Sequence, residues 1–394
     1  MKKYLIQAKV VKSLLRRIAP SVPVRIILPS GEVVSEKRET VPTLEILNED
    51  FFYRIGADQK IGLGESFMAG DWRPKPGDDL ADVLTPFAEK LLNIVPAWMR
   101  KFRKLVEQFQ PKHEENNLNG AKSNISRHYD LSNDLFKLFL DETLTYSAAN
   151  FAGERPGFDG LAQAQRRKVD GILDFAGVKP GMKVLEIGTG WGQLSIQVAQ
   201  RGAQVHTITL SKEQMELAQQ RVNSAGLQEL VTIELRDYRD LQGEYDAIVS
   251  VEMIEAVGEK YWPTYFEAVS KHLKKGGKFG LQAITMPHDR LLASKHAYTW
   301  IHKYIFPGGI IPSLEVIEQY TKPTLKLIDR RSLGLDYAHT LKLWRERFMK
   351  NIDQVHNLGF DTEFERMWQY YLAYSEAGFR ARHLDVWQLG FEKL

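Results

Sequence analysis

The stretch Val184-Leu-Glu-Ile-Gly-Thr-Gly-Trp-Gly192 constrains this chain more than any other. A β-forming run leads into three closely spaced glycines, and a helical pattern, Gln193–Gln200, follows. A strand that turns at once into a helix needs backbone angles that only glycine adopts without strain, and the missing side chains let a ligand approach the main chain. The spacing Gly188-x-Gly190-x-Gly192 is not the dinucleotide fingerprint, whose third glycine would replace Gln193, and the Gly-Lys-Ser/Thr of a phosphate loop is missing. S-adenosyl-L-methionine carries no phosphate and fits this turn. Another nucleotide fold, or a tight turn without a ligand, is the alternative.

Strands and helices alternate around the turn: Ala162–Phe175 helical, Lys183–Ile187 strand, Gln193–Gln200 helix, Gln204–Thr209 strand, Lys212–Ala225 helix, then strands Val231–Leu235 and Ala247–Val251, helix Tyr261–Leu273 and strand Gly280–Ile284. This predicts an α/β, doubly wound sheet. Ligands of such sheets lie at the carboxyl ends of the strands. Glu186, Gly188, Gly190, Gly192, Thr209, Leu210 and Gln214 are therefore candidate cofactor residues, with Gln214 placed for ribose hydroxyls and Asp237 and Tyr238 to bracket an adenine.

Before the alternating region, residues 1–90 read as a small α+β domain: an amphipathic helix over 1–18, short strands at Val24–Leu28, Val33–Val34, Leu44–Leu47 and Phe51–Ile55, a loop from Trp72 through Pro74–Asp79, and a helix at Leu80–Leu92. Residues 91–122 hold a basic amphipathic helix, Pro96–Phe109, and a polar linker, Lys112–Lys122. That helix suits docking on the protein core or on an anionic membrane, with Arg100, Lys101, Arg103 and Lys104 between its apolar positions. The catalytic domain is expected over 123–394. A formal net charge of +3 is no argument for nucleic acid. The absence of cysteine removes disulfides, thiolate nucleophiles and Cys-ligated metals, and no metal site is expected. No apolar window approaches a membrane span, so a soluble or membrane-surface protein is expected.

Further motifs carry a resemblance. Gly62-Leu-Gly-Glu-Ser-Phe-Met-Ala-Gly-Asp-Trp72, His128-Tyr-Asp-Leu-Ser-Asn-Asp134, Thr145-Tyr-Ser147, the glycine turn, Ser250-Val-Glu-Met-Ile-Glu-Ala-Val-Gly258, Lys303-Tyr-Ile-Phe-Pro-Gly-Gly309 and Tyr370-Tyr-Leu-Ala-Tyr-Ser-Glu-Ala-Gly-Phe-Arg-Ala-Arg382 occur in order. In these the chain resembles the cyclopropane-fatty-acyl-phospholipid synthase family. The resemblance implies a Rossmann-like class I methyltransferase fold, a seven-stranded mixed sheet with a helical lid insertion at about 287–324 over a lipid tunnel. It implies transfer of a one-carbon unit from S-adenosylmethionine to the double bond of an unsaturated phospholipid acyl chain, through a carbocation. Tyr146, Ser147, Gly188, Leu210, Gln214 and Tyr238 would hold the cofactor. Glu255 and Tyr337 match positions that hold a bicarbonate ion acting as base, and Tyr304, Phe306 and Tyr337 would offer π faces to the cation. Ala148 stands where the family often has cysteine, Gln282 where it often has histidine, and Glu252 where glycine is expected. These departures look like a sub-branch that makes methyl-branched fatty acids, in which a protein carboxylate, Glu142 or Glu252, takes the place of bicarbonate. The expected setting is cytoplasmic, at a membrane surface, with a homodimer as one state. A methyltransferase acting on a soluble small molecule and an inactive lipid-binding homologue are the rival readings. Cyclopropane, methylene and methyl-branched products stay open.

Overall fold

A computed structural model describes residues 2–35, 40–94, 111, 115–117, 120–121, 124 and 132–394. The expected helix Pro96–Phe109, most of the linker Lys112–Lys122 and the His128-Tyr-Asp-Leu131 part of one motif lie outside the described residues. The chain divides into two compact units: Met1–Phe109 with His296–Ile305 and Trp344–His383, and Gln110–Lys295 with Phe306–Leu343 and Leu384–Leu394. Both are discontinuous, unlike the consecutive segments 1–90, 91–122 and 123–394 read from the sequence, and the segment 287–324 is shared between them.

The first unit opens with the helix Lys2–Ile18. A small sheet follows, of β1 (Arg25–Ile27), β2 (Thr43–Ile46) and β3 (Trp72–Pro74), with β1 parallel and β3 antiparallel to β2. Trp72–Pro74, expected as loop, is therefore a strand. Phe51–Ile55, expected as a strand, lies within the helix Asp50–Ala57. Its Phe-Phe-Tyr composition favours β structure, but the Asn48 side chain accepts from the Asp50 N–H at 3.0 Å and starts a turn. Phe51 and Phe52 are then buried, while Arg54 reaches Asp71 at 2.8 Å. Distant segments complete the core. Tyr370 stacks near Phe67 (5.6 Å between ring centroids) and edge-on to Trp300 (4.8 Å). A Cβ on Gly64 would lie 2.4 Å from the Trp300 ring, so only glycine fits there. The helices Leu80–Ile94 and Thr362–Arg380 pack together, and buried Arg345 bridges Asp79 (2.9 Å) and Glu376 (2.8 Å).

The second unit is built on a seven-stranded sheet: β4 (Lys183–Ile187), β5 (Gln204–Thr209), β6 (Val231–Leu235), β7 (Tyr245–Val251), β8 (Leu273–Thr285), β9 (Leu325–Ser332) and β10 (Asp385–Lys393). Their order is β6-β5-β4-β7-β8-β10-β9. β4 to β8 pair in parallel, whereas β10 runs antiparallel to both β8 and β9. The central strands are apolar on both faces, as a sheet covered on both sides requires. Val184, Val205 and Val249 pack with Val169, Ile172 and Leu173 of the helix Phe158–Phe175. Leu185, Ile208 and Ile248 pack on the other face with Tyr265 and Phe266 of the helix Trp262–His272. From β4 the chain moves outward to β5 and β6, then returns to β7 on the opposite side of β4. The order thus reverses between β4 and β7, and a crevice opens beyond their carboxyl ends. Among the described residues, no helix is long and apolar enough to cross a membrane.

Arg345→Ala would leave the Glu376 carboxylate, which is 2% exposed, without its main cation. Removing one partner of a buried ion pair costs about 3 kcal/mol or more. Urea denaturation is expected to show a loss of that size; a change under about 0.5 kcal/mol contradicts this account of the first unit.

Candidate active site

The crevice is lined by segments whose residues were singled out in the sequence and by one helix whose crevice residues were not. The glycine turn follows β4. Gly188, Gly190 and Gly192 all have positive φ (+100°, +51° and +86°). The Gly188 and Thr189 amides donate to the Ile208 carbonyl at 3.0 and 3.1 Å, which fastens the turn to β5. A Cβ on Gly190 would meet nothing within 4 Å. A Cβ on Gly192 would come within 3.1 Å of Ala218, so this third glycine serves helix packing, and it does not line the crevice. After β5, the Thr209 hydroxyl donates to Gln214 Oε1 at 2.9 Å, orienting the amide. Thr209, Leu210, Gln214 and Tyr238 all face the crevice. Asp237 does not: both its oxygens are taken by Arg239, at 2.8 and 2.6 Å. Burial lifts the Tyr238 hydroxyl to about 12, so it remains a neutral hydrogen-bonding group.

Tyr146 and Ser147 form the opposite wall. Two buried polar residues of the helix Phe158–Phe175 hold them there. Gln165 donates to the Ser147 carbonyl at 2.9 Å, and Lys168 Nζ donates to Ser147 Oγ at 2.6 Å. Lys168 is 1% exposed. A polar Gln165-x-x-Lys168 pair on the otherwise apolar face of that helix was the available signal for both residues. Burial pulls the Lys168 ammonium down to about 8, against the charges of Glu252, Asp141 and Glu186. Burial likewise pushes Glu186 up to about 7, although Ser195 and Thr207 donate to it.

The carboxylates separate clearly. Glu252 follows β7, lines the crevice, and has φ +50°. A left-handed residue is where the resemblance expects glycine, so the backbone keeps the glycine conformation while bearing a carboxylate. Its Oε1 accepts from the Ala148 amide at 3.0 Å and from Gln282 Nε2 at 2.8 Å, and the Tyr337 hydroxyl also bonds the carboxylate. Ala148 therefore contributes through its main chain, and Tyr337, expected beside Glu255, serves Glu252. Burial raises Glu252 above the usual carboxylate range, with Lys168 opposing. Glu255 accepts from the Ile284 amide through Oε1, while Oε2 is buried without a partner. Burial, then the charge of Glu252, lifts it to about 8, so it is protonated at neutral pH. Glu142, the other candidate carboxylate, is at the surface, 69% exposed and paired with Arg166, and it does not line the crevice. Tyr304 lies in the first unit, where its hydroxyl donates to Glu65 at 2.8 Å; neither it nor Phe306 lines the crevice.

A mixed seven-stranded sheet with a central switch point and β10 antiparallel, a glycine turn at its first strand and a carboxylate beside that turn make up a class I methyltransferase fold. A family model described as mycolic acid cyclopropane synthetase matches residues 116–389. The chain is 49% identical to tuberculostearic acid methyltransferase of Mycobacterium tuberculosis, covering 97% of this chain and 90% of that protein. It is 36% identical to cyclopropane-fatty-acyl-phospholipid synthase of Escherichia coli, over 89% of this chain and 87% of that one. The solved structure of mycolic acid cyclopropane synthase CmaA1 complexed with SAH and CTAB superposes with a TM-score of 0.63 at 29% identity, covering 72% of this chain and 99% of that one. The chain belongs to the mycolic acid cyclopropane synthetase family, and it is an S-adenosylmethionine-dependent methyltransferase.

The residues present fit that cofactor: the open space over Gly190, the oriented Gln214 amide and the neutral Tyr238 supply room and hydrogen bonds with no phosphate-binding group. A valine at 190 would place its branched side chain in that space on a backbone suited to glycine. Gly190→Val is expected to abolish cofactor binding in calorimetry while the protein stays folded; unchanged affinity contradicts the placement. The Glu252 backbone gives a second expectation. Glu252→Gly and Glu252→Ala lose the same hydrogen bonds, but only the alanine keeps the left-handed strain, of about 1 kcal/mol. Denaturation should find the glycine variant more stable by that amount, and equal stabilities contradict the strain.

Proposed function

We propose that this protein transfers the methyl carbon of S-adenosylmethionine to the double bond of an unsaturated phospholipid acyl chain at a membrane surface, and that Glu252 takes the proton released. The observation that carries this reading is the placement of Glu252 at the β4–β7 switch point, on the crevice wall, with Oε1 occupied by fixed donors. When bound, S-adenosylmethionine supplies an electrophilic methyl, and its capture by an alkene leaves a carbocation on the acyl chain. Tyr146, Ser147, Gly188, Gly190, Leu210, Gln214 and Tyr238 hold and orient the cofactor. Glu252 has two jobs: its charge offsets the cation, and Oε2 accepts the proton whose departure closes a ring or forms a methylene branch. The likeness to a tuberculostearic acid methyltransferase supports the branched outcome. Glu252 stands in the place of a bicarbonate ion, and Glu255, protonated, is not the base. The setting is a cytoplasmic face, with the enzyme peripheral to the membrane.

A base must be ionised, so turnover should rise with pH through the raised titration of Glu252 and fall on acidification. Glu252→Gln is expected to lower turnover by ~10²–10⁴-fold, the usual worth of a general base, with cofactor affinity nearly unchanged. Glu142→Gln should leave turnover unaltered. Wild-type enzyme should work in carbonate-free buffer, whereas Glu252→Gly should regain part of its activity when bicarbonate is added. Mass spectrometry and NMR of fatty acids from cells expressing the protein with defined monoenes identify the product. Full turnover in Glu252→Gln, or strict dependence of the wild type on bicarbonate, overturns the assignment; products on soluble small molecules alone overturn the substrate class.

A further inference from the structure

We propose that Gln388 is a positioning residue for this reaction: from β10 it fixes which way the Gln282 amide faces, and so which oxygen of Glu252 is left to take the proton. The inference rests on the reading of Glu252 as the base. Gln388 and Gln282 face each other across the antiparallel pair β10–β8, and both are fully buried. Gln388 Nε2 lies 2.9 Å from the carbonyl oxygen of Lys168 and 3.0 Å from Gln282 Oε1.

The polarity of this chain of amides does not depend on how either side chain is assigned. A main-chain carbonyl can only accept, so the Gln388 atom beside Lys168 must be the nitrogen. That nitrogen carries a second hydrogen, which requires an acceptor, so the facing atom of Gln282 is its oxygen. The Gln282 nitrogen must then face Glu252, at 2.8 Å. Glu252 Oε1 accepts from Gln282 and from the Ala148 amide, so both its lone pairs are taken; Oε2 keeps a lone pair for the proton beside the Tyr337 bond to the carboxylate. Reversing Gln282 would bring its oxygen against Oε1, and that repulsion would drive Glu252 to bind a proton. Stability alone gives no reason for a glutamine at 388: its Oε1 is buried without a partner, an arrangement that an apolar side chain of similar shape avoids. What the glutamine supplies is its pair of donors.

Among the described residues, the other charged or titratable groups facing Glu252 are Lys168 from the helix Phe158–Phe175, Tyr337 from the helix Gly334–Lys350 and Glu255 after β7; Asp141 and Glu186 act on it through Lys168. Gln388→Met retains shape and removes the donors. It is expected to raise the acid limb of the kcat–pH profile by about one unit, which is about tenfold in kcat on that limb, with activity regained at higher pH. KM for S-adenosylmethionine and cofactor binding by calorimetry should change less than about twofold. Gln282→Met should shift the limb similarly, and the double variant should shift it no further, because both act through one contact. If Gln388→Met does not fold, Gln388→Glu serves: its neutral acid form has one O–H for two acceptors, so an upward shift is again expected. An unmoved acid limb in the folded variant, or an equal loss of kcat at every pH, overturns the proposal. Glu252→Gln measured in parallel separates the two failures: full turnover there sinks the base assignment itself, whereas an inactive Glu252→Gln beside an unmoved limb in Gln388→Met sinks only the role of Gln388.

Discussion

The carboxylate of Glu252 is the point on which the second unit closes. Its Oε1 takes a main-chain amide from Ala148 and a side-chain amide from Gln282 of β8, and the Tyr337 hydroxyl bonds the same group. A buried carboxylate is costly unless donors replace water, so the three donors and their segments must arrive together. The segment around Tyr146 and Ser147 is therefore positioned by Glu252, and further by Gln165 and Lys168. Crevice wall and Glu252 share one scaffold.

Around this carboxylate the charges do not balance by count. Asp141, Glu186, Glu252 and Glu255 have raised titrations, all chiefly through burial, and Lys168 is the cation that acts on the first three. Such groups titrate as a set. Burial, then the charge of Glu252, lifts Glu255 to about 8, so the close pair relieves its repulsion by keeping a proton on Glu255. An excess of buried acids also suits a crevice that must receive a cationic sulfonium and tolerate a carbocation.

Several features were legible because they are local. The strand, glycine turn and helix at 183–200 follow from residue pattern, as do β5, β6 and the helix Lys212–Ser224. Glu252 stood out as a carboxylate in a glycine position, and φ +50° supplies the reason. Misreadings arose where a local signal was overruled or absent. Phe51–Ile55 looks like a strand by composition, yet a turn begun at Asn48 makes it helical. Asp237 has the residue type for contacting an adenine, but its own neighbour Arg239 occupies it. Gln388 carried no signal, since its partners lie 106 and 220 residues away in the chain.

By itself the sequence determined the alternating elements between residues 162 and 285 and their order, the turn that only glycine can make, and the absence of thiol chemistry, because these depend on intrinsic backbone preference and on residue inventory. How the three candidate carboxylates differ in environment was decided only by the tertiary structure. Glu142, Glu252 and Glu255 are chemically identical side chains, and nothing within a few residues of each distinguishes their acidity. Packing left Glu142 in water beside Arg166, buried one oxygen of Glu255 without a partner, and gave Glu252 three donors on the wall of the crevice. Desolvation and hydrogen bonding set a carboxylate's charge state, and both are properties of what the folded chain brings around it.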